Sequence, residues 1–167
     1  MISLFLKLGF YAIQFTTEMI EFLSRIDDSC FEISFVAVHN RVDLLKVIYR
    51  ETKEFLENAQ VMDGAAAHGN LEAVQYLSEL GASCSVSAID RAASGGYLRI
   101  VKYLHLNRSE GCDKALEFAA FKGQVAVVEY LAENSLGMDR IQMAINCATF
   151  KRQSKIVEIL RNYVQEN

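Results

Sequence analysis

The sequence predicts an all-α protein, an α-solenoid in which short helix–turn–helix units are stacked side by side. Five classes of residue recur along its middle at a fixed step of 27. A period of this size indicates supersecondary units that are each too small to bury their own apolar face. The recurring residues are Gly69, Gly96 and Gly123; Tyr76, Tyr103 and Tyr130; Leu77, Leu104 and Leu131; Val74, Val101 and Val128; and the pairs Ala65–Ala66, Ala92–Ala93 and Ala119–Ala120.

Each copy predicts two short helices. Between residues 61 and 80, the first helix carries Met62, Ala65 and Ala66 on one face, and Gly69 then interrupts the pattern. The second helix continues at helical spacing, with Leu71, Val74, Leu77 and Leu80 on one face. The small alanines predict a close approach between helices of neighbouring units, where a bulkier side chain would overpack the stack.

Weaker copies flank the three clear ones. A shift of 29 from the third copy reaches Val157 and Leu160, with Arg152 in place of the glycine. A shift of 29 back from the first copy places Asn40 under Gly69, and asparagine tolerates the left-handed backbone that ends a helix. We therefore predict four or five units, at about 31–58, 59–85, 86–112, 113–139 and 140–167, preceded by a degenerate helical cap over residues 1–30.

Acidic residues recur at one place in the first helix of the clear copies. Ser87 and Asp90 have the spacing of a capping box, and Asp63 and Glu117 occupy the place of Asp90. A carboxylate stabilises the positive end of a helix. We interpret these acids as capping residues rather than as a cation or ligand site.

The segment from Ala65 to Val74 resembles the ankyrin repeat, whose consensus has two alanines, two free positions, Gly-His and then Leu-Glu-Val-Val. The segments 92–101 and 119–128 match the same frame. The resemblance covers about residues 31–165, and the stretch 103–112 is similar to the linker of short ankyrin repeats in giant DNA viruses and protists. The resemblance implies a stack of ankyrin-type repeats that binds protein.

The sequence departs from the ankyrin pattern in its turns. It contains no proline, so the Thr-Pro-Leu-His tetrapeptide is missing, and the step of 27 falls short of the usual ~33 residues. We expect the missing residues to come from the β-hairpin finger. The loops between units should therefore be abbreviated.

Composition narrows the function further. The formal charge of −4 argues against a nucleic-acid binder, since attraction to phosphate needs a basic face. The four cysteines lie far apart without a Cys-x-x-Cys pair, which predicts reduced packing thiols and no zinc site; they are Cys30, Cys84, Cys112 and Cys147. No phosphate-binding or hydrolase motif occurs. We expect a non-enzymatic monomer without cofactors, located in the cytoplasm (of the host, if the protein is viral).

The first residues are apolar and admit two interpretations. The run at 2–15 lacks preceding basic residues and a cleavage site, and it falls short of the ~20 residues that span a bilayer. It fits a helix that covers the open end of the stack. The alternative is a membrane-associated adaptor, in which residues 1–24 dock on a lipid surface while the array holds a partner.

The resemblance also implies a binding surface. In ankyrin-type stacks the two free positions after the paired alanines face the concave groove, where a protein partner docks. In this sequence we take from these positions, as partner-binding residues, His39, His68, Ser94, Phe121, Lys122, Phe150 and Lys151. The pairs Phe121–Lys122 and Phe150–Lys151 repeat an aromatic residue followed by a base. An exposed aromatic residue is a good interface anchor, although either Phe could instead fill a contact between units.

Overall fold

The computed structural model describes residues 29–51, 54–107, 114–134 and 137–166. These residues form ten α-helices and one short 3-10 turn, Glu54–Glu57, and contain no strand. The α-helices are α1 Ser29–Val38, α2 Val42–Glu51, α3 Ala59–Ala67, α4 Leu71–Glu79, α5 Val86–Gly95, α6 Leu98–Asn107, α7 Ala115–Lys122, α8 Val125–Asn134, α9 Met138–Phe150 and α10 Ser154–Glu166. The all-α solenoid predicted from the sequence is confirmed.

The helices form two layers. The odd-numbered helices, α1 to α9, pack side by side as an inner layer, and each is followed by an outer helix that packs against it. The alanine pairs of α3, α5 and α7 are completely buried between inner helices, as predicted. Outer helices contact one another far less than inner helices do. Because the inner layer is the more closely packed one, we assign the concave side of the stack to it.

A left-handed residue separates the two helices of every unit. Gly69, Gly96 and Gly123 have φ near +80°, a conformation that L side chains rarely adopt. Asn40 and Arg152 occupy the same place with φ of 53° and 57°. The glycine step therefore marks a backbone requirement, and the two flanking copies meet that requirement without glycine.

The residue after this turn joins its unit to the preceding one. The Asn70 side-chain amide donates to the Ala37 carbonyl at 2.9 Å, and Gln124 donates in the same way to the Ser94 carbonyl at 3.2 Å. In the unit between them this place belongs to Tyr97, whose ring lies directly against Gly69. The inner-helix carbonyls of one unit are thus reached by side chains of the next.

The connections between units are short. Residues 80–85 join α4 to α5 without a strand, so the predicted abbreviated loop is confirmed at this connection, the one that is described in full. The predicted cap at 1–30 and the lipid-docking segment at 1–24 lie almost wholly outside the described residues, which begin at residue 29. The division into units remains a prediction.

The interpretation of the acidic residues as caps of their own helices was wrong for Asp63 and Asp90. Both helices begin earlier than predicted, so these acids lie beyond the first turn; Asn58 caps α3 and Ser85, not Ser87, caps α5. Asp63 instead accepts hydrogen bonds from Ser85 at the start of the next unit. Glu117 does lie in the first turn of α7, but its buried carboxylate is 3.6 Å from Arg140 of α9. These two acids connect neighbouring units.

Candidate functional site: the inner-helix groove

One face of the inner helices remains accessible along the stack. The inner helices α3, α5 and α7 bury their alanine pairs. They and α9 present residues spaced four and three apart to solvent, which is the repeat of a single helix face. We call this surface the groove. Its residues are Val38, His39, Gln60, Gly64, Ala67, His68, Ser87, Arg91, Ser94, Lys114, Phe118, Phe121, Lys122, Met143, Cys147, Phe150 and Lys151.

The amino-terminal part of the groove is polar and shallow. His39 and His68 are exposed there, as predicted, with the small residues Gly64 and Ala67 beside them. The His68 ring nitrogen Nδ1 lies 2.9 Å from the Gly64 carbonyl, within hydrogen-bonding distance when Nδ1 carries the proton. A Cβ atom added at Gly64 would meet Val38 at 3.2 Å, so the units come close together here.

A depression of about 200 Å³ lies in the middle of the groove, between α5 and α7. Ser94, one of the predicted binding residues, lines it, and Phe118 closes it on the α7 side. The other lining residues are Ser87, Asp90 and Arg91, of which Arg91 is exposed and Asp90 is half-buried. The depression therefore combines an aromatic wall with the exposed Arg91 guanidinium and the half-buried Asp90 carboxylate.

The carboxy-terminal part of the groove brings together four of the predicted residues. Phe150 is 78% exposed and Phe121 is half-buried. The Lys151 ammonium lies 4.4 Å from the ring centroid of Phe121 and 5.9 Å from that of Phe150, so one cation bridges the two aromatic residues. Cation–π contacts of this kind contribute about 0.5–1 kcal/mol at exposed sites. Lys122 is exposed beside them.

Sequence reasoning missed further members of this surface. Phe118 is 42% exposed and Met143 is 53% exposed, and both lie on the groove face. Each precedes a predicted residue by a helical interval, Phe118 by three from Phe121 and Met143 by seven from Phe150. Both residues could have been predicted by counting back along each inner helix from the predicted groove residues at helical spacing. With them, α7 and α9 together carry four large apolar side chains on the groove face, three of them exposed and Phe121 half-buried.

The three tyrosines that recur at the 27-residue step lie on the outer helices, away from the groove. Tyr76, Tyr103 and Tyr130 are half-buried against the core, which agrees with a packing seam. Burial raises the pKa of Tyr76, with smaller contributions from Tyr49 and Glu79. The Tyr130 hydroxyl lies 3.0 Å from the His105 ring nitrogen Nδ1. At least this hydroxyl is therefore engaged by protein rather than left to water.

Few groups in the described part of the chain could support metal binding or thiol chemistry. No cluster of three His, Cys, Asp or Glu side chains is placed to hold a metal ion among those residues. Cys84 and Cys147 form no disulfide bond, whereas the Cys30 and Cys112 side chains lie outside what the structure describes. Burial, and secondly the charge of Glu117, raises the pKa of Cys147. No helix between residues 29 and 166, where described, has the length and hydropathy needed to cross a membrane.

Comparison with known families addresses the repeated unit itself. A family model described as ankyrin repeats (many copies) matches residues 62–105, which run from within α3 to within α6. Residues 62–105 are similar to ankyrin repeats. The matched region lies within the three clear copies of the repeat, and the ankyrin prediction is confirmed there. A search of curated proteins found no match to the chain.

The match to ankyrin repeats also bears on the function of the groove. Ankyrin repeats are in general modules of protein–protein interaction and typically have no catalytic activity. The predicted residues His39, His68, Ser94, Phe121, Lys122, Phe150 and Lys151 all lie on or beside the inner-helix face. Their part in binding stays a prediction, as does the likeness to repeats of giant DNA viruses and protists.

Proposed function

We propose that this chain is a non-catalytic interaction module that holds a protein partner in the groove. The observation that carries the proposal is the exposed apolar surface formed by Phe118, Phe121, Met143 and Phe150 across two neighbouring inner helices. Large apolar side chains on one face of a soluble protein are typical of interaction sites. Three of the four, Phe118, Met143 and Phe150, are exposed; the other exposed large apolar side chains of the described residues are Val86, Tyr97, Leu106, Met138 and Val164.

The chemistry of this surface suits protein recognition. Aromatic anchors contribute a large share of interface free energy, and neighbouring charges set specificity and the rate of association. A standard interface needs roughly 800 Å² on each partner, an area that several stacked units can provide. The half-buried position of Phe121 supports a second role for it, as a wall that keeps Lys151 in place between the two rings.

Affinity capture from a cell lysate tests the proposal. The protein is compared with the variant Phe121→Ala/Phe150→Ala, for which we expect loss of the specifically captured partner while helical content and melting temperature stay near those of the parent. Leu106→Ala is the matched control, because Leu106 is exposed on α6 outside the groove. Capture that is unchanged in the double variant, or lost equally in the control, would contradict binding through the groove.

We further infer a cytoplasmic location, supported by the reduced state of Cys84 and Cys147 and by the spacing of the cysteines. The alternative role as a membrane-associated adaptor depends on residues 1–24, which the structure does not describe. Comparing flotation on liposomes for the full chain and for a chain lacking residues 1–24 tests that alternative. Flotation of the full chain alone would favour it.

A further inference from the structure

The exposed charges of this protein are distributed unequally between its two layers. Among the residues whose exposure is described from residue 59 onward, the inner helices and their turns expose five basic side chains and one acidic one. The outer helices expose four basic and five acidic side chains over the same range. The inner basic residues are Arg91, Lys114, Lys122, Lys151 and Arg152, and the inner acidic residue is Asp139.

This distribution runs against the charge of the whole chain. The formal net charge is −4, so the basic inner face is a local feature and does not follow from composition. In the described part of the structure, no ion pair joins these five basic side chains to a carboxylate of the protein. Arg140, by contrast, is drawn inward to the buried Glu117. The four basic residues of the groove are therefore available to an outside ligand; they are Arg91, Lys114, Lys122 and Lys151.

The basic side chains alternate with the apolar ones. Lys122 follows Phe121, Lys151 follows Phe150, and Arg91 borders the depression that Phe118 closes. A purely electrostatic site for phosphate would not need this interleaving with aromatic and thioether groups. A peptide that carries both carboxylates and an apolar side chain matches both components.

We propose that the groove takes an acidic segment of a partner protein, with carboxylates near Arg91, Lys122 and Lys151 and an apolar side chain in the depression beside Phe118. This inference rests on the proposed function and specifies the chemistry of the partner. Aspartate and glutamate side chains of the segment contact the cations. Its apolar side chain displaces water from the aromatic wall.

Selection from a displayed library of random 12-residue peptides tests the proposal on the full chain. We expect the selected peptides to be enriched in Asp and Glu relative to the starting library and to carry an apolar residue among the acids. Their affinity should fall about tenfold or more for Lys122→Glu/Lys151→Glu. It should also fall as salt is raised, because the pairs are partly exposed.

The matched control is Arg99→Glu/Lys102→Glu, which makes the same charge change on the exposed face of α6. It should alter the affinity by no more than about twofold, since screening limits the effect of distant surface charges. Melting curves of both variants verify folding. An equal loss in the two variants would overturn the proposal, because net charge and not the groove would then govern binding.

Two further outcomes separate the inference from the proposed function. Neutral or basic selected peptides that lose binding to Phe121→Ala/Phe150→Ala would overturn the acidic partner and leave the protein-binding groove standing. A library that yields no groove-dependent peptide would overturn both. Binding of a 12-nucleotide single-stranded DNA as tight as the best peptide, lost in Lys122→Glu/Lys151→Glu, would assign the cations to phosphate and also overturn the inference.

Discussion

Asp63 of one unit accepts two hydrogen bonds from Ser85, one from its N–H at 3.1 Å and one from its hydroxyl. Ser85 in turn caps α5, since its hydroxyl oxygen accepts the Ser87 N–H at 3.0 Å. A single carboxylate therefore fixes the residue that starts the first helix of the following unit. Asp63 is nearly buried, so this contact is shielded from solvent.

We predict that Asp63→Ala and Ser85→Ala each lower the free energy of unfolding by about 1–2 kcal/mol, because each leaves hydrogen-bonding groups without partners and disturbs the cap. The double variant should lose less than the sum, with a coupling of about 0.5–3 kcal/mol. Urea denaturation of the four proteins measures the cycle. Glu79→Ala, at an exposed site on α4, serves as a control with little effect. Additive losses would mean that the two residues act independently.

The turn glycines should differ in their tolerance of a side chain. A Cβ atom at Gly69 would fall 2.6 Å from the Tyr97 ring, whereas one at Gly81 would meet nothing within 4 Å, and both residues have positive φ. We predict that Gly69→Ala costs clearly more than Gly81→Ala, whose loss is limited to the ~1–2 kcal/mol of left-handed strain. Thermal unfolding compares the two variants.

The same reasoning sets a test of the Tyr97 contact. Adding Tyr97→Ala to Gly69→Ala should remove the clash, so the double variant should lose less than the two single losses combined. Additivity would show that the ring does not limit this site.

Arg152→Gly should stabilise the protein by up to about 1 kcal/mol, since Arg152 adopts φ of 57° without glycine.

The buried alanine pairs should not tolerate larger side chains. Ala92 is completely buried between inner helices, so we predict that Ala92→Leu lowers the free energy of unfolding by about 1–3 kcal/mol or more through overpacking. Ala126→Leu is the matched control, because Ala126 is exposed on α8. Denaturant unfolding measures both. Similar stability of the two variants would contradict the close approach of inner helices.

Cys147 should react slowly with alkylating reagents near neutral pH. Burial, with the charge of Glu117 as the second cause, raises its pKa, so less thiolate is present at a given pH in the folded chain than in the unfolded chain. Peptide-resolved alkylation across pH should show a higher midpoint for folded protein than for protein in urea. Glu117→Gln should lower that midpoint, whereas Glu129→Gln, at an exposed site, should not.

The sign of the accompanying stability change follows from the same shift. A raised folded pKa means that folding holds the Cys147 proton more tightly, so its contribution to stability is complete below the unfolded pKa. That contribution is lost as pH rises through the folded pKa. A folded midpoint equal to or below the unfolded one would contradict both expectations.

The repeated residues predicted the fold because each class is the residue type that its position in the unit requires. Gly96 marks a left-handed turn, and Leu104 marks the buried side of an outer helix. Asn40 was identified at a turn for the same reason, and its φ of 53° agrees. Demands that act within one unit can be inferred from spacing and residue type alone.

Contacts between units were harder to predict. Asp63 and Ser85 are 22 residues apart, and no periodic signal says that one side chain reaches the other. The helix starts were predicted too late, so the acids were interpreted as caps of their own helices. Phe121 and Phe150 were predicted as groove residues, but their shared contact with Lys151 depends on the rotation of α9 relative to α7.

The hydrogen bonds between units run from later residues back to earlier ones, and this order has a consequence for biosynthesis. Asp63 is made before Ser85, and the Ala37 carbonyl is made before the Asn70 amide that reaches it. As the ribosome extends the chain, each new pair of helices meets a docking edge that is already in place. Folding can then advance from the amino end at the pace of translation, without waiting for distant segments to appear.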